Sequence, residues 1–195
     1  IDPGLASFNY LNPDSARAVF RQAALDHIYL AEALSTRAHN FTLSADITIK
    51  NDPQRMAYLG HSHGGLIGAI AAPFMDDRLK AMVLSGAGGG LSTTITTRDA
   101  GDFDIQQLLT ATLEFDEDEA LEISHPIIAA VQTLAEVTDP INYAPYWHQR
   151  QPYWETSNMP VLMTEGLDDV QTPPPTAEAL ARRKAPSNSS IVGDS

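Results

Sequence analysis

The chain has 195 residues, 43% of them hydrophobic and 19% charged, enough for one domain with a buried core. A net charge of −13 and a pI near 4.6 argue against a nucleic-acid partner, which would want a basic face, and the lack of cysteine excludes disulfides, thiolate metal sites and a cysteine nucleophile. Apolar stretches are broken by Gly, Pro or charge well short of the roughly 18 residues of a membrane span, and no basic-then-apolar leader opens the sequence.

Asn12-Pro13-Asp14 predicts a helix start, with asparagine as N-cap, proline at the first helical position and an acid in the first turn. Ala16, Val19, Phe20, Ala23, Ala24, Ile28 and Leu34 recur at three-to-four spacing and carry this amphipathic helix to about Leu34. Phe41 to Ile49 alternates apolar and polar residues, a short extended segment. Met56 to Leu59 is an apolar run ending at Gly60, and Leu66 to Phe74 predicts a helix that Gly68, Ala69, Ala71 and Ala72 let pack closely. Leu79 to Leu84 reads as a buried strand closed by the glycines of SGAGGG at 85–90. DIQQLLTATLEF and HPIIAAVQTLAEV predict helices, the second with Pro126 near its start, and the acidic FDEDEALE lies between them. DPINYAPYWHQRQPYWE reads as irregular or short-helical. Val161 to Thr164 gives a strand, EGLDDVQTPPP a loop and TAEALARRKA a helix, with Ser190-Ile191-Val192 as a final strand.

Short apolar strands alternating with helices predict an α/β domain, with a mostly parallel sheet covered by helices on both faces. Residues 1–90 and 159–195 are expected to form that core. Residues 91–158 are expected to form a helical cap or lid inserted into it.

Gly60-His61-Ser62-His63-Gly64 fits the pattern G-x-S-x-G. A serine on a sharp strand-to-helix turn sits in strained backbone and projects its Oγ from the sheet edge. The amide of His63, first in the following helix, would point at the oxyanion and gain from the helix N-terminus. The bland alternative is a small residue in a tight bend, but the apolar strand before and the small-residue helix after favour a nucleophile. Gly166-Leu167-Asp168-Asp169, just beyond a strand, supplies a carboxylate where a histidine would need orienting, with Asp169 the first choice and Asp168 the second. The other reading of both aspartates is a turn or helix cap.

YLGHSHGG at 58–65, AMVLSGAGG at 81–89 and PVLMTEGLDDVQTPP at 160–174 resemble the α/β-hydrolase superfamily, its lipase- and esterase-like bacterial members most closely. The helix NPDSARAVFRQAALDHIYLAEAL is similar to the one before the elbow strand in secreted lipase-like relatives. The resemblance implies an eight-stranded sheet, a catalytic triad in Ser-Asp-His order, and ester or amide hydrolysis through an acyl-enzyme on Ser62. It implies a small-molecule or lipid ester as substrate, no cofactor, and a secreted or periplasmic location, with a cytoplasmic one the alternative.

The family's histidine follows the acid, yet His27, His39, His61, His63, His125 and His148 all precede Asp169. The stretch before Ser62 is too short for the strands the family places there, and no motif matches its second oxyanion donor. The sequence is therefore expected to be part of a longer protein whose histidine serves as the base. A space should stand open between Ser62 and Asp169 unless His125 or His148 fills it. The competing reading is a relative that has lost its base and acts as a non-catalytic binding module.

His63 is expected to line the acyl pocket and His61 to pack beneath the elbow at the substrate site, with Tyr146 and Trp147 also at the pocket. Tyr143, Tyr153 and Trp154 belong to the same aromatic group, whose other reading is packing of the cap on the sheet. His61 and His63 do not read as a metal pair, because side chains two apart on a turn diverge. The run Gly86–Gly90 lacks the Lys-Ser/Thr of a phosphate loop and reads as room beside the nucleophile. Asp116–Glu122 reads as a solvated helix start rather than a Ca²⁺ loop.

Overall fold

The computed structural model describes residues 8–9, 12–75, 79–99, 104–116, 119–150, 155–156 and 159–184. Helix α1 (Pro13–Thr36) begins where the Asn12 side chain accepts the Ser15 amide at 3.1 Å. The alternating segment after it forms an antiparallel hairpin, β1 (Asn40–Ser44) with β2 (Ile47–Lys50), exposed along both strands and separate from the main sheet.

Among the described residues the main sheet has three parallel strands: β3 (Met56–His61), β4 (Leu79–Ser85) and, after a short antiparallel pair β5 (Gln149–Arg150) and β6 (Glu155–Thr156), β7 (Val161–Thr164). Their order is β3-β4-β7, and the register His61↔Ser85↔Thr164 brings all three carboxyl ends to one edge. Helix α2 (His63–Ala71) leaves β3 and lies against β3 and β4, burying Ile67, Ala69 and Ile70 on Met82 and Leu84. Gly68 makes that approach possible, since a β-carbon there would stand 2.1 Å from Cε1 of Tyr58. The architecture is mixed α/β.

Among the described residues, helices cover one face of the sheet and not, as expected, both. Tyr58, Met82 and Val161 share the covered face, but the row Leu59–Val83–Leu162 on the other is largely open, with Leu59 76% and Leu162 58% exposed. Helix α1 adds its Phe20, Ala23 and Ala24 to the covered side by packing on α2 instead of crossing to the second face.

Helices α3 (Leu91–Thr97), α4 (Ile105–Leu113) and α5 (Pro126–Ala135) gather around their own apolar cluster of Ile95, Ile105, Leu121 and Ile128. Helix α3 escapes sequence reasoning because LSTTITT is rich in β-branched residues that disfavour helix. Its threonines bond back to carbonyls one turn earlier, and Asp139 holds its start. The acidic run begins no helix among its described residues. Instead Glu119 pairs with His125 at 2.9 Å and Leu121 is buried.

Three 3₁₀ turns (Glu136–Thr138, Pro140–Asn142, Ala144–Tyr146) lead back to the main core. There Ala144 and Trp147 are fully buried, and the Trp147 indole donates to the Ala69 carbonyl at 2.8 Å. Between the clusters stands Asp139, 3% exposed, accepting the amides of Gly90 (2.9 Å), Leu91 (2.9 Å) and Ile141 (3.1 Å) and the Gln132 side chain (2.9 Å). Helix α6 (Pro174–Lys184) follows the loop after β7. The strand expected at Ser190–Val192 and the residues Tyr153 and Trp154 lie outside the described residues. No helix among the described residues is long and apolar enough to cross a membrane.

Candidate active site

Ser62 follows the last residue of β3 and precedes the first of α2, with φ 51° and ψ −121°. Positive φ is uncommon and costly for a residue with a β-carbon, and persists only where the surroundings over-determine it. Here they do. The Ser62 amide donates to the Ser85 carbonyl at 2.8 Å, extending the sheet ladder by one residue. The Ser62 carbonyl accepts from Gly65 (2.8 Å) and Leu66 (3.1 Å). Gly60 admits the helix start, since a β-carbon there would stand 2.5 Å from the Gly64 carbonyl oxygen. The serine side chain is exposed and makes no capping bond. The His63 amide is the first of the helix and so belongs to the amides with no acceptor inside it.

Tyr58 was not legible as a site residue, yet it latches this turn. Its hydroxyl donates to the Gly64 carbonyl at 2.6 Å, and its oxygen lies 3.2 Å from Nδ1 of His27. Burial pushes its pKa up.

Asp169 lies in the loop after β7, its amide bonded to the Gly166 carbonyl. Oδ1 is taken by the amides of Gln171 (2.8 Å) and Thr172 (2.9 Å), which fix the carboxylate. Oδ2 accepts no hydrogen bond among the described residues and faces Gly86, 3.6 Å from where a β-carbon would sit. The exposed His61 ring approaches the same point, its Cε1 at 3.7 Å, while its Nδ1 lies 3.3 Å from Ser85 Oγ. Gly86, whose φ is +58°, thus lies beside both the His61 ring and the Oδ2 side of Asp169. Asp168 is exposed and forms no hydrogen bond among the described residues.

No histidine among the described residues hydrogen-bonds Ser62 or Asp169. His125 is committed to Glu119 and to capping α5, His39 to the Ala33 carbonyl, and His27 to Tyr58. His63 sits between the rings of Phe8 (4.8 Å) and Phe20 (4.9 Å). Burial first, and then repulsion from His27, lower its pKa, so its imidazole is neutral at pH 7.

A cavity of about 570 Å³ opens beside Ser62. Phe20, His63, Leu66, Leu91, Val131 and Leu134 supply much of its wall, with Gly88–Gly90 at one side and Arg17, Arg98 and Gln171 as polar members. Two buried side-chain nitrogens lack a partner among the described residues, Nε2 of His63 and Nε of Arg98, and both residues line this cavity. The other aromatic assignments fare differently. Trp147 is sealed in the main core because its indole finds the Ala69 carbonyl there, and neither Tyr146, His61 nor Trp147 borders the cavity. His61 is exposed at the strand end rather than beneath the elbow. Among the described residues no group of three His, Asp or Glu is placed to hold a metal ion.

No protein-family model matches the sequence, and no curated protein matches it. Among solved structures, an acetyl xylan esterase from Paenibacillus sp. R4 matches with a TM-score of 0.61 and 20% sequence identity, over 94% of this chain and 48% of that one. The chain thus spans about half the length of that enzyme. The likeness is one of fold: this chain and that esterase share an α/β architecture across the shared half.

Proposed function

We propose that this chain carries the nucleophile and acid of a serine hydrolase of the α/β-hydrolase type acting on carboxylic esters. The observation that supports it most is that Ser62, in strained backbone at a strand-to-helix turn, and Asp169, whose Oδ2 accepts no hydrogen bond among the described residues, follow parallel strands whose carboxyl ends share one edge. In this reading the Ser62 hydroxyl gives its proton to an imidazole held by Asp169, and Oγ bonds to the ester carbonyl carbon. The carbonyl oxygen takes the negative charge, with the His63 amide as one donor to it. Collapse expels the alcohol, which receives the proton from the imidazole, and water repeats the sequence to release the acid. Asp169 holds the imidazole in its working tautomer.

No histidine among the described residues hydrogen-bonds Ser62 or Asp169, so the imidazole of this reading is not assigned to one of them. Residues 1–90 and 159–195 act as the hydrolase core and 91–158 as its cap. The substrate is a small-molecule or lipid ester, met outside the cytoplasm.

Free imidazole tests this directly. Added to the chain with 4-nitrophenyl butyrate, it should give a saturable rise in rate that Ser62→Ala abolishes and Asp169→Asn reduces, and a fluorophosphonate probe should label Ser62. An imidazole response identical in Ser62→Ala overturns the nucleophile. The second reading, a binding module without catalysis, rests on no histidine among the described residues hydrogen-bonding Ser62 or Asp169, and that same result would favour it.

A further inference from the structure

The cavity beside Ser62 has a largely apolar wall, yet it holds a cation, Arg98, that no carboxylate among the described residues pairs with. Arg98 caps the end of α3, its amide bonded to the Thr94 carbonyl, and among the described residues its guanidinium has one partner, the neutral side-chain oxygen of Gln171. Its Nε is buried with nothing to donate to among the described residues. Leaving a buried donor of a charged group unmade is expensive, and the cost disappears when a ligand supplies the acceptor.

The other charged members of the wall do not fill that place. Arg17 pairs with the exposed Asp14 at 3.4 Å. Asp139 is consumed by three backbone amides and Gln132. In a chain of net charge −13, an unneutralised guanidinium at an apolar wall marks a local preference against the overall field. The planar fork of arginine matches a carboxylate. Nε2 of His63, the other partnerless nitrogen, lines the same cavity. The volume, about 570 Å³, falls in the usual range for small-ligand sites.

We propose that this cavity selects esters bearing a free carboxylate, with Arg98 as the residue that binds it. The proposal rests on the ester-hydrolase reading of Ser62 for its reaction, though not for its binding chemistry. The carboxylate can sit on the acyl side, as in a half-ester of a dicarboxylic acid, or on the alcohol side, as in an ester of a hydroxy acid.

Binding is read first, in the Ser62→Ala background so that nothing is hydrolysed. Monomethyl glutarate should shift the Arg98 Nε–H resonance in a nitrogen-15 correlation spectrum, and methyl pentanoate, which lacks the carboxylate, should not. Arg98→Met should weaken monomethyl glutarate binding by roughly tenfold or more, the range for a charge-assisted hydrogen bond, while Arg98→Lys keeps part of it. An unchanged thermal midpoint in Arg98→Met shows that the fold is intact. Equal binding of monomethyl glutarate and methyl pentanoate, or binding indifferent to Arg98→Met, overturns the proposal. Imidazole-supported hydrolysis of mono-4-nitrophenyl glutarate against the butyrate ester of 4-hydroxybenzoate then tells acyl side from alcohol side. Arg98-dependent binding without any Ser62-dependent hydrolysis overturns the ester reading and leaves the carboxylate site standing.

Discussion

The turn at Ser62 and the helices of 91–135 hold their shapes by different means. At the turn the main chain does the positioning: Ser62 bonds to Ser85 across the ladder, its carbonyl is shared by two helix amides, and glycine at 60 lets strand and helix touch. The helices around Ile128 have a small apolar cluster of their own, and the start of α3 is tied down by a side chain, the carboxylate of Asp139, which lies 49 residues from the Gly90 amide it accepts. A site made by backbone is written in neighbouring residues. One made by a distant side chain is not.

Asp139→Ala should separate the two regions most strongly. Three amides and a glutamine would lose their acceptor, and a loss of about 3 kcal/mol is expected, measured by urea unfolding. Hydrogen exchange should rise in α3 and in Pro140–Asn142 while α2 stays protected. Equal loss of protection in both regions would mean that they unfold as one unit, and the contrast fails.

Gly68→Ala should act in the opposite place. Its methyl would meet a Tyr58 ring anchored at Gly64, so a cost of about 2 kcal/mol is expected, with exchange rising in α2 and at the Ser62 turn first. Ser62→Gly should stabilise the chain by about 1 kcal/mol, because glycine adopts that backbone without strain, and should remove fluorophosphonate labelling. A destabilised Ser62→Gly would show that the serine side chain, not the backbone, holds the turn.

The smallest effect concerns His63. Its folded pKa lies below the unfolded value, so below about pH 6.5 the unfolded chain takes up a proton that the fold resists, and stability falls with pH. His63→Phe should flatten the slope of thermal midpoint against pH between 7.5 and 5.5. An identical slope in wild type and variant would place the acid sensitivity elsewhere.

These contrasts also explain what the sequence discloses. The strand, glycine, serine and small-residue helix of 56–71 stand side by side, so the turn is legible as a pattern. The start of α1 follows from Asn12 and Pro13 alone. Helix α3 runs against its own propensity and exists because Asp139 reaches its first amides, a contact that no local pattern records. Trp147 looked like a pocket residue because aromatic clusters serve both pockets and cores, and only the position of the Ala69 carbonyl decides between them. Arg98 was silent for the same reason, since a charged residue after a threonine run reads as surface.

Tyr58 sets an alkaline limit on the turn that carries Ser62. Its hydroxyl proton is the one shared with the Gly64 carbonyl, so ionisation would replace a donor with a negative charge facing a carbonyl oxygen. Burial raises its pKa above the ordinary tyrosine value, so the latch stays whole past the pH at which a free tyrosine ionises and is lost only at still higher pH. Tyr143, also raised by burial, anchors the Val137 carbonyl in the same manner at the 3₁₀ turns. Phenolate absorbance therefore offers an optical readout of the elbow. The appearance of the Tyr58 phenolate in an ultraviolet titration should coincide with the opening of the strand-to-helix turn.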